Sequence, residues 1–470
     1  MSRINLEKSA IECLEEWLDS YLNFERMPKK GIFWLDTIKF LCNRFNNPEK
    51  SYKSVHIAGS KGKGSVSTML SSIIKEYVGS CGLYTSPHIL SLSERITNAQ
   101  NPFDEKIYEE ALKELVYKVE SIIPEQLPNK REITWFELIT LYGFLCFRKA
   151  NLSWAVFETG LGGRLDSTNI LTPELSVITP IELEHTEFLG DTIEKIAFEK
   201  AGIIKDSVPV CVSFQSEAAK KVLEARAKET NSAIYFIEDY LSKIEYLYPK
   251  INESFDSNKM EIQLTFNKFF SRPIKAKLAL IGKIQAENAA LAALCAKILF
   301  KDISEEIIEK GLENAFLPGR FEILENPYNS GKKIVLDGAH TVNSIFGTID
   351  SFGKIFQDKS NLVFAAAADK NVQHIAKELI ECQLFEKAYL TKPGSVKQSD
   401  LSLVKEAFQE KATNQFSFVT DEDYGKVLES AILESGKENR HLLITGSFYL
   451  IAEAKKVLCA ISSKNSSDNE

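Results

Sequence analysis

The chain has no uninterrupted apolar run of the length that a membrane-spanning helix needs, which is about 18 residues. Its first residues, from Met1 to Lys8, are polar and charged and lack the apolar core of a secretory signal. No two of its 8 cysteines form a Cys-x-x-Cys pair, and most lie in apolar stretches. We therefore predict buried free thiols in a reducing compartment, and hence a cytoplasmic protein.

An excess of basic residues is also missing. The chain has 57 Lys and Arg against 65 Asp and Glu, which gives a formal net charge of −8. This balance argues against nucleic acid and against an anionic membrane as partners, although a small anionic substrate needs only a local basic pocket. Because coiled-coil heptads and long apolar surface segments are absent from the sequence, the expected state is a monomer.

The composition is that of a globular protein: 470 residues with 44% hydrophobic and 26% charged side chains, enough for two or more domains. Apolar β-type runs alternate with helical segments, which predicts parallel sheets covered by helices. Residues 236–280 form a β-rich insert, and Pro318-Gly319 punctuates the chain before a fresh α/β series. The predicted fold class is α/β. A P-loop ATPase-like parallel-sheet domain with the insert is expected over 1–317, and a smaller Rossmann-like domain over 318–470.

The most informative stretch is a glycine-rich turn between a strand-like run at Val55 and Ile57 and a helical apolar pattern from Val66. The turn consists of Gly59, Ser60, Lys61, Gly62, Lys63, Gly64 and Ser65. Glycines let backbone N–H groups face an anion, and a helix N-terminus adds positive potential. In such a loop the lysine, here Lys63, reaches outer phosphates, and the hydroxyl, here Ser65, binds Mg²⁺. The stretch therefore predicts a nucleotide-phosphate site.

This loop is shorter than the standard P-loop, because only Ser60 and Lys61 separate Gly59 from Gly62-Lys63. The shortened form resembles the loop of the folylpolyglutamate synthases and dihydrofolate synthases, a family within the Mur ligase superfamily. Ser60 and Lys61 stand where that family has Thr and Asn. Since its members form amide bonds with ATP, the resemblance implies an ATP-dependent ligase that binds the nucleotide with this loop.

A second segment, residues 155–169, carries Glu158 at the end of an apolar strand, with three glycines close behind it. A carboxylate at a strand end beside a phosphate loop is the expected anchor of Mg²⁺. The glycines indicate a tight bend or a close approach of the backbone to a neighbour. The segment is similar to the family's Glu-Val-Gly-Leu-Gly-Gly-Arg-Leu-Asp-Ala-Thr-Asn, and this resemblance implies that Glu158 binds Mg²⁺.

A third segment, residues 177–191, places His185 in the loop after another apolar strand. A lone histidine is more often structural than a ligand, but its position after a sheet strand favours a site here. The segment resembles the family's Leu-Asp-His-Thr motif, whose histidine binds a second Mg²⁺, so two Mg²⁺ ions are implied. Glu184 stands where that motif has Asp.

Lys200 lies near the end of the next helix, for which Asp191 is the predicted N-cap. A lysine near a helix C-terminus is common and by itself indicates nothing more. However, the run from Glu199 to Ile203 resembles the family motif whose lysine is carbamylated by CO₂. A carbamate offers the hard oxygen ligands that Mg²⁺ takes, so the resemblance implies this modification of Lys200. The catalytic residues implied in this way are Lys63, Glu158, His185 and Lys200.

The stretch from Ser86 to Arg95 resembles the family's Ser-Pro-His-Leu loop, which contacts the pterin-bearing substrate, and the segment around Phe136 resembles another substrate-side motif. Without the resemblance, the first stretch would be a surface turn set by Pro87. The implied substrate residues are Ser86, Pro87, His88, Arg95 and Phe136. The implied Mg²⁺ ligands are Ser65, Ser86, Glu158, His185 and Lys200.

Three later segments resemble the rest of the family's ATP site. The first implies that Asn288 contacts adenine or ribose, with Ile284 where the family has His. The second implies that Arg320 reaches the phosphates, for which a guanidinium is well suited because it pairs with two phosphate oxygens. The third implies nucleotide contacts by Asp337 and His340. They are followed by Thr341-Val342, where the family has Asn-Pro.

The resemblance runs in order from about residue 54 to 452 and implies transfer of L-glutamate to the carboxylate of a folate, of dihydropteroate or of both, through an acyl phosphate. Two other function classes stay open. One is a Mur-type ligase for a UDP-muramyl precursor, against which the Lys-Gly-Ser loop argues. The other is a nucleotide-binding module without ligase activity, which the departures from the family motifs leave open.

Overall fold

In the computed structural model, the described residues are 8–23, 34–251, 258–368, 370–395, 399–411 and 416–467. Their contacts divide the chain into two units. Unit 1 comprises the described residues of Met1–Glu245, Ile262–Ala276 and Gln285–Phe316, and unit 2 those of Tyr246–Glu261, Lys277–Ile284 and Leu317–Glu470. Unit 2 thus takes in stretches of the β-rich segment, and the predicted domain boundary between 317 and 318 stays a prediction. Among the described helices, none is long and apolar enough to cross a membrane.

Unit 1 contains a seven-stranded sheet. Its strands are β1 Lys53–Ala58, β2 Gly82–Tyr84, β3 Ile96–Asn98, β4 Trp154–Glu158, β5 Leu175–Ile178, β6 Val210–Val212 and β7 Ile234–Phe236. They are ordered β3-β2-β4-β1-β5-β6-β7. Only β3 is antiparallel to its neighbour among the described pairs. The central strands β4, β1 and β5 are buried along nearly their whole length, as expected for a parallel sheet covered on both faces.

Helices connect and cover these strands. They are α1 Ala10–Leu18, α2 Asp36–Arg44, α3 Lys63–Val78, α4 Glu105–Glu120, α5 Trp135–Lys149, α6 Thr186–Leu189, α7 Ile193–Ala201, α8 Glu217–Glu229, α9 Lys283–Leu299 and α10 Glu305–Asn314. Local sequence explains several of their starts: Thr134 and Glu137 form a capping box for α5, and Ser216 caps α8. One apolar core packs α1, α2, α4 and α5 against the sheet, and a second packs α7 and α8.

The register of the sheet positions the predicted site. Ile57 pairs with Glu158 and Ala58 pairs with Ile178, so β1, β4 and β5 end side by side. The C-terminal edge of a parallel sheet is where α/β proteins bind ligands. The loops that leave these three strands carry the glycine-rich turn, the segment after Glu158 and the segment with His185.

The β-rich segment forms a separate three-stranded sheet. Its strands are β8 Leu241–Leu247, β9 Met260–Phe266 and β10 Ile274–Leu278. They are ordered β10-β9-β8. Buried and more exposed residues alternate along β9 and β10, which is typical of a sheet with one solvated face.

Unit 2 contains a six-stranded sheet. Its strands are β11 Glu322–Asn326, β12 Asn329–Asp337, β13 Ser360–Phe364, β14 Phe385–Leu390, β15 Ser417–Thr420 and β16 Leu442–Thr445. They are ordered β11-β12-β16-β13-β14-β15. An antiparallel hairpin joins β11 to β12, and the remaining pairs are parallel. The accompanying helices are α11 Val342–Ile355, α12 Val372–Glu381, α13 Leu401–Lys411, α14 Tyr424–Lys437 and α15 Phe448–Ser467.

The predicted α/β fold with two parallel sheets is confirmed, and one local prediction is wrong. The N-cap of α7 is Thr192, whose hydroxyl accepts a hydrogen bond from the N–H of Lys195. Asp191 instead pairs with the Lys195 ammonium at 2.8 Å. Both Asp and Thr are good capping residues, and the helix begins one residue later than the pattern indicated.

Candidate active site

The glycine-rich turn leaves β1 at Ala58 and enters α3 at Lys63. A Cβ atom on Gly59 would lie 1.8 Å from the Thr179 hydroxyl, so no larger residue fits there. Gly62 has a left-handed φ of +81°, and a Cβ on it would lie 2.6 Å from Oδ1 of Asn288 on α9. These two glycines allow the turn to pass between its neighbours, and Gly62 places the predicted adenine-side residue Asn288 directly against the loop.

The two residues that depart from the family's loop are tied to the segment after β5. The N–H groups of Ser60 and Lys61 donate to the carbonyl of Pro180 at 2.8 and 3.2 Å. The Ser60 hydroxyl donates to the carbonyl of Glu182 at 3.0 Å. Because first-turn N–H groups have no acceptor within their helix, the N–H groups at the start of α3, at Lys63, Gly64 and Ser65, are the donors that the turn has to offer to an anion.

Two lysines converge on one carbonyl of the loop. Nζ of Lys63 donates to the Gly59 oxygen at 3.1 Å, and Nζ of Lys200 donates to the same oxygen at 2.6 Å. Lys200 comes from the last turn of α7 and is 1% exposed. Burial, helped by the positive charge of Lys63, lowers the pKa of Lys200 to about 8. The loop therefore has two ammonium groups at its base.

Glu184 is the ion-pair partner of Lys200, at 2.8 Å. Burial acts to raise the pKa of Glu184, but the charges of Lys200 and Lys63 outweigh it, so the pKa is lowered overall. Glu184, which stands where the family's motif has Asp, thus balances the charge of the buried Lys200. His185 follows it, exposed and in a left-handed conformation at the start of α6, and its metal role stays a prediction.

Glu158 ends β4 and is 5% exposed. Its Oε2 accepts a hydrogen bond from the N–H of Ser86 at 3.2 Å, because β2, which leads to Ser86, lies beside β4. The structure thus brings together two of the residues predicted as Mg²⁺ ligands. Behind Glu158, a Cβ on Gly160 would lie 2.5 Å from the ring of Phe136, so the predicted close approach of the glycine segment is confirmed.

The stretch around His88 is held by two side chains. The carboxylate of Glu94 accepts hydrogen bonds from three successive backbone N–H groups, those of residues 89, 90 and 91. The buried Arg95 donates from Nε to Nδ1 of His88 at 2.9 Å, and its guanidinium lies 5.0 Å from the centroid of the Trp135 ring. Since Nδ1 of His88 accepts, its Nε2 carries a hydrogen and is a donor.

In unit 2, the other predicted nucleotide residues lie near the end of β12. Asp337 accepts hydrogen bonds from the N–H groups of Phe321 and Ala339 at 3.1 and 2.8 Å. Burial raises the pKa of Asp337 to about 6, although the nearby Arg320 opposes the shift. Nδ1 of His340 lies 2.8 Å from the carbonyl of Gly338, which can only accept, so this nitrogen carries the hydrogen.

Phe448, at the start of α15, connects these residues and was not predicted as a site residue. Its ring lies 4.3 Å from the Arg320 guanidinium and 5.9 Å from the His340 ring, edge to face. A Cβ on Gly338 would lie 2.2 Å from the same ring. The sequence does show an aromatic residue directly after Thr-Gly-Ser at the end of a strand, which is a place where site residues occur. Its contact with Arg320 could not be predicted, because the two residues are far apart in the sequence.

The donor set suits Mg²⁺ only in part. Among the described residues, no three His, Cys, Asp or Glu side chains are grouped as a metal site. Mg²⁺ commonly binds one or two carboxylates, water and substrate phosphates, and Glu158 with the Ser65 hydroxyl offers oxygens of this kind. Lys200, as an amine, donates hydrogen bonds and would ligate only after modification, and the imidazole of His185 is a softer donor than Mg²⁺ usually takes.

The chain matches known proteins along nearly its whole length. The family model described as the Mur ligase middle domain matches residues 57–296, and that described as the Mur ligase, glutamate ligase domain matches residues 319–448. The dihydrofolate synthase/folylpolyglutamate synthase of Bacillus subtilis is 31% identical over 458 residues, 96% of this chain and 99% of the relative.

Two solved structures have the same fold. The folylpolyglutamate synthase of Thermotoga maritima matches with a TM-score of 0.77 and 29% identity, covering 96% of this chain and 97% of that one. The folylpolyglutamate synthase of Mycobacterium tuberculosis, complexed with ADP and AMPPCP, matches with a TM-score of 0.79 and 25% identity, covering 95% and 98%. With the glycine loop, the Glu158 segment and the Lys200 helix assembled as described, the chain belongs to the Mur ligases, in the family of folylpolyglutamate synthases and dihydrofolate synthases.

Proposed function

We propose that this protein is an ATP-dependent ligase that joins L-glutamate to the carboxylate of a folate, of dihydropteroate or of both. The observation that carries the proposal is the convergence of Lys63 and Lys200 on the carbonyl of Gly59, at the base of the glycine loop. The ammonium of Lys63 beside a helix N-terminus suits the phosphates of a nucleotide, and Lys200 lies next to it, where a modified lysine would meet a phosphate-bound metal. Relatives matched over nearly the whole chain are named for folate ligation.

The reaction has two steps. An oxygen of the substrate carboxylate attacks the γ-phosphorus of ATP, forming an acyl phosphate and releasing ADP. The amine of L-glutamate then attacks the acyl carbon, loses a proton and expels phosphate, leaving an amide. The first step brings two anions together, so Lys63 and Arg320 are assigned to offset the charge of the phosphates. The ATP-binding residues in this proposal are Gly59, Ser60, Lys61, Gly62, Lys63, Gly64, Ser65, Asn288, Arg320, Asp337 and His340.

Within this set, the backbone N–H groups of Ser60 and Lys61 contribute through the shape of the loop. Their N–H groups bind the carbonyl of Pro180, so the two residues hold the shape of the loop while the first turn of α3 faces the phosphates. Asn288 touches the loop at Gly62, from where its amide reaches the base or the ribose.

Mg²⁺ completes the proposed site. Ser65, Ser86 and Glu158 would hold it together with phosphate oxygens, His185 would hold a second ion, and a modified Lys200 would add oxygen ligands. When bound, Mg²⁺ neutralises charge that develops on the phosphates. The part that this chain plays is to keep Glu158 at the end of β4, where the N–H of Ser86 orients its carboxylate.

A carbamate on Lys200 is part of the proposal. Only an unprotonated amine attacks CO₂, forming an N–C bond and releasing a proton. A pKa of about 8 leaves a larger share of Lys200 unprotonated at neutral pH than an exposed lysine would have. Glu184 opposes the modification, because its pairing favours the ammonium form, and the pair must separate when the carbamate forms.

The substrate residues are proposed to be Ser86, Pro87, His88, Arg95 and Phe136. His88 offers a donor nitrogen because Arg95 occupies its other nitrogen. Phe136 presents an aromatic ring beside the segment after Glu158, where a pterin or benzoyl ring could stack. Cysteines that are free and in most cases buried support the proposal of a cytoplasmic protein, and we propose a monomer.

The experiment that tests this function is incubation with ATP, Mg²⁺ and labelled L-glutamate, with each acceptor supplied in turn. The proposal expects ADP and a labelled product with dihydropteroate, with a tetrahydrofolate or with both. Labelled product from a UDP-muramyl acceptor alone would favour the Mur-type reaction. ATP binding without glutamate-dependent turnover on any acceptor would leave a nucleotide-binding module.

A further inference from the structure

A chain of hydrogen bonds links β1 to the segment that follows Glu158. It starts at His56, which is 0% exposed and whose Nε2 lies 2.8 Å from the hydroxyl of Thr168. That hydroxyl donates in turn to Oδ1 of Asp166. The other carboxylate oxygen, Oδ2, accepts from the N–H groups of Gly160 and Leu161, each at 2.9 Å. None of the three side chains belongs to the proposed catalytic or binding set.

These hydrogen bonds determine which ring nitrogen of His56 carries the hydrogen. A hydroxyl has one hydrogen, and that of Thr168 is donated to Asp166, so Thr168 must accept from His56. His56 is therefore the tautomer with hydrogen on Nε2. Its Nδ1 is buried without a hydrogen-bond partner in the described structure. Burial, with a smaller effect of Lys205, lowers the pKa of His56 to about 3, which keeps the ring neutral.

The segment held in this way contacts three parts of the proposed site. It begins two residues after Glu158. At Gly160 it lies against the Phe136 ring, and at Gly163 a Cβ would lie 2.9 and 3.0 Å from the carbonyls of Glu199 and Lys200 on α7. In the sheet, His56 on β1 pairs with the residue before Glu158 on β4. The backbone thus joins β1 to β4, and the His56 side chain joins β1 to the segment that follows β4.

We propose that His56 is a positioning residue for nucleotide-bound Mg²⁺: through Thr168 and Asp166 it holds the segment behind Glu158 and thereby orients that carboxylate. The inference rests on the proposed function for its ligand and adds a residue that touches neither metal nor nucleotide. Outer partners that orient metal-holding groups typically change metal affinity or activity about 10- to 100-fold when removed.

The test compares His56→Leu with His56→Gln in the full chain. Glutamine can place an amide N–H near the position of Nε2, whereas leucine removes the donor. The readout is the Mg²⁺ concentration that half-saturates binding of AMPPCP, measured by calorimetry. We expect this concentration to rise about tenfold in His56→Leu and to stay within about twofold of wild type in His56→Gln. Thermal melting checks that each variant is folded.

Variants of Thr168 give an independent test if His56→Leu does not fold. Thr168→Val removes the middle of the chain of bonds and should raise the half-saturating Mg²⁺ concentration as His56→Leu does, while Thr168→Ser should not. Combining His56→Leu with Thr168→Val should not raise the half-saturating Mg²⁺ concentration beyond that of either single variant, since both changes break the same connection.

Equal Mg²⁺ requirements in wild type, His56→Leu and Thr168→Val would overturn the inference, and so would equal losses in His56→Leu and His56→Gln. The readout separates the two proposals. A wild-type protein that binds AMPPCP with Mg²⁺ but ligates no glutamate would end the proposed function and leave the inference to be decided by the variants. A wild-type protein that binds no nucleotide would end both.

Discussion

Nζ of Lys200 and a carboxylate oxygen of Glu184 are 2.8 Å apart, and the lysine side chain is 1% exposed. A buried ion pair adds little net stability, but removing one partner leaves an uncompensated charge and is costly. This relationship gives the Glu184 carboxylate, which stands where the family's motif has Asp, a structural role as the partner of a buried lysine. It also defines the competition that a carbamate on Lys200 would face.

Lys200→Ala should reduce glutamate-dependent ADP release by at least about a hundredfold, since removing a group that acts in catalysis commonly costs that much. Short-chain carboxylic acids should restore part of the activity by supplying the missing anionic oxygens. The matched control is Lys205→Ala. Lys205 is also a lysine whose pKa burial lowers to about 8, but it donates to the carbonyl of Asn169. Full activity of Lys200→Ala without added acid, or an equal loss in Lys205→Ala, would contradict the assignment.

Gly62→Ala should weaken ADP binding about tenfold or more, because the added methyl group meets Asn288 at 2.6 Å and the backbone is left-handed. Gly79→Ala separates these two causes. Gly79 ends the same helix with a φ of +92°, but a Cβ there meets nothing within 4 Å. We expect it to cost about 1 kcal/mol of stability and to leave ADP binding unchanged. Calorimetry and thermal melting measure the two quantities, and equal losses of ADP affinity would refute the loop geometry.

His56 should make the protein less stable as the pH falls. Its pKa is about 3 in the folded protein, against 6.5 for an exposed histidine, so between these values the unfolded state binds more protons. Stability then rises with pH across this range and is lost on acidification. From pH 7 to pH 4, the loss from this group alone is up to about 3 kcal/mol, at about 1.4 kcal/mol for each pKa unit. His56→Gln should remove this contribution to the pH dependence of the free energy of unfolding, as measured by urea unfolding at several pH values. The same pH dependence in variant and wild type would contradict it.

Arg320→Lys should raise the KM for ATP about tenfold, because the ammonium keeps the charge but loses the planar fork and its contact with Phe448. Phe448→Leu should raise it about threefold, since it removes only the ring under the guanidinium. Arg272→Lys is the control, because Arg272 pairs with Glu306 and Glu309 and has no proposed role at the site. A KM that is unchanged in Arg320→Lys would remove Arg320 from the ATP-binding set.

The regular elements that carry the site could be predicted because their patterns are local. The apolar runs of β1, β4 and β5 and the helical spacing of α3 lie within single stretches of sequence. By contrast, β2 and β3 have three residues each, too few for a period to emerge, and they were not predicted. The order of the strands also lies beyond local patterns, because β4 reaches β1 across a long stretch of chain.

At the candidate site, the residue types could be predicted but their partners could not. Ser60 looked like a simple departure from a motif, and its acceptor lies 122 residues away, on Glu182. His56 looked like one more residue of a strand, and Thr168 is 112 residues away. Glu184 and Lys200 are only 16 residues apart, yet a short helix and a turn intervene. Each of these contacts depends on how distant segments meet at the sheet edge, which motif spacing does not encode.

The most direct test of the account follows one oxygen atom. The acceptor carboxylate is labelled with the heavy isotope of oxygen and incubated with the protein, ATP, Mg²⁺ and L-glutamate, and the released phosphate is analysed by mass spectrometry. Because the carboxylate oxygen attacks the γ-phosphorus and leaves with it, the account predicts one labelled oxygen in each phosphate and one amide for each ADP. Amide or ADP formed with unlabelled phosphate would contradict the acyl-phosphate mechanism.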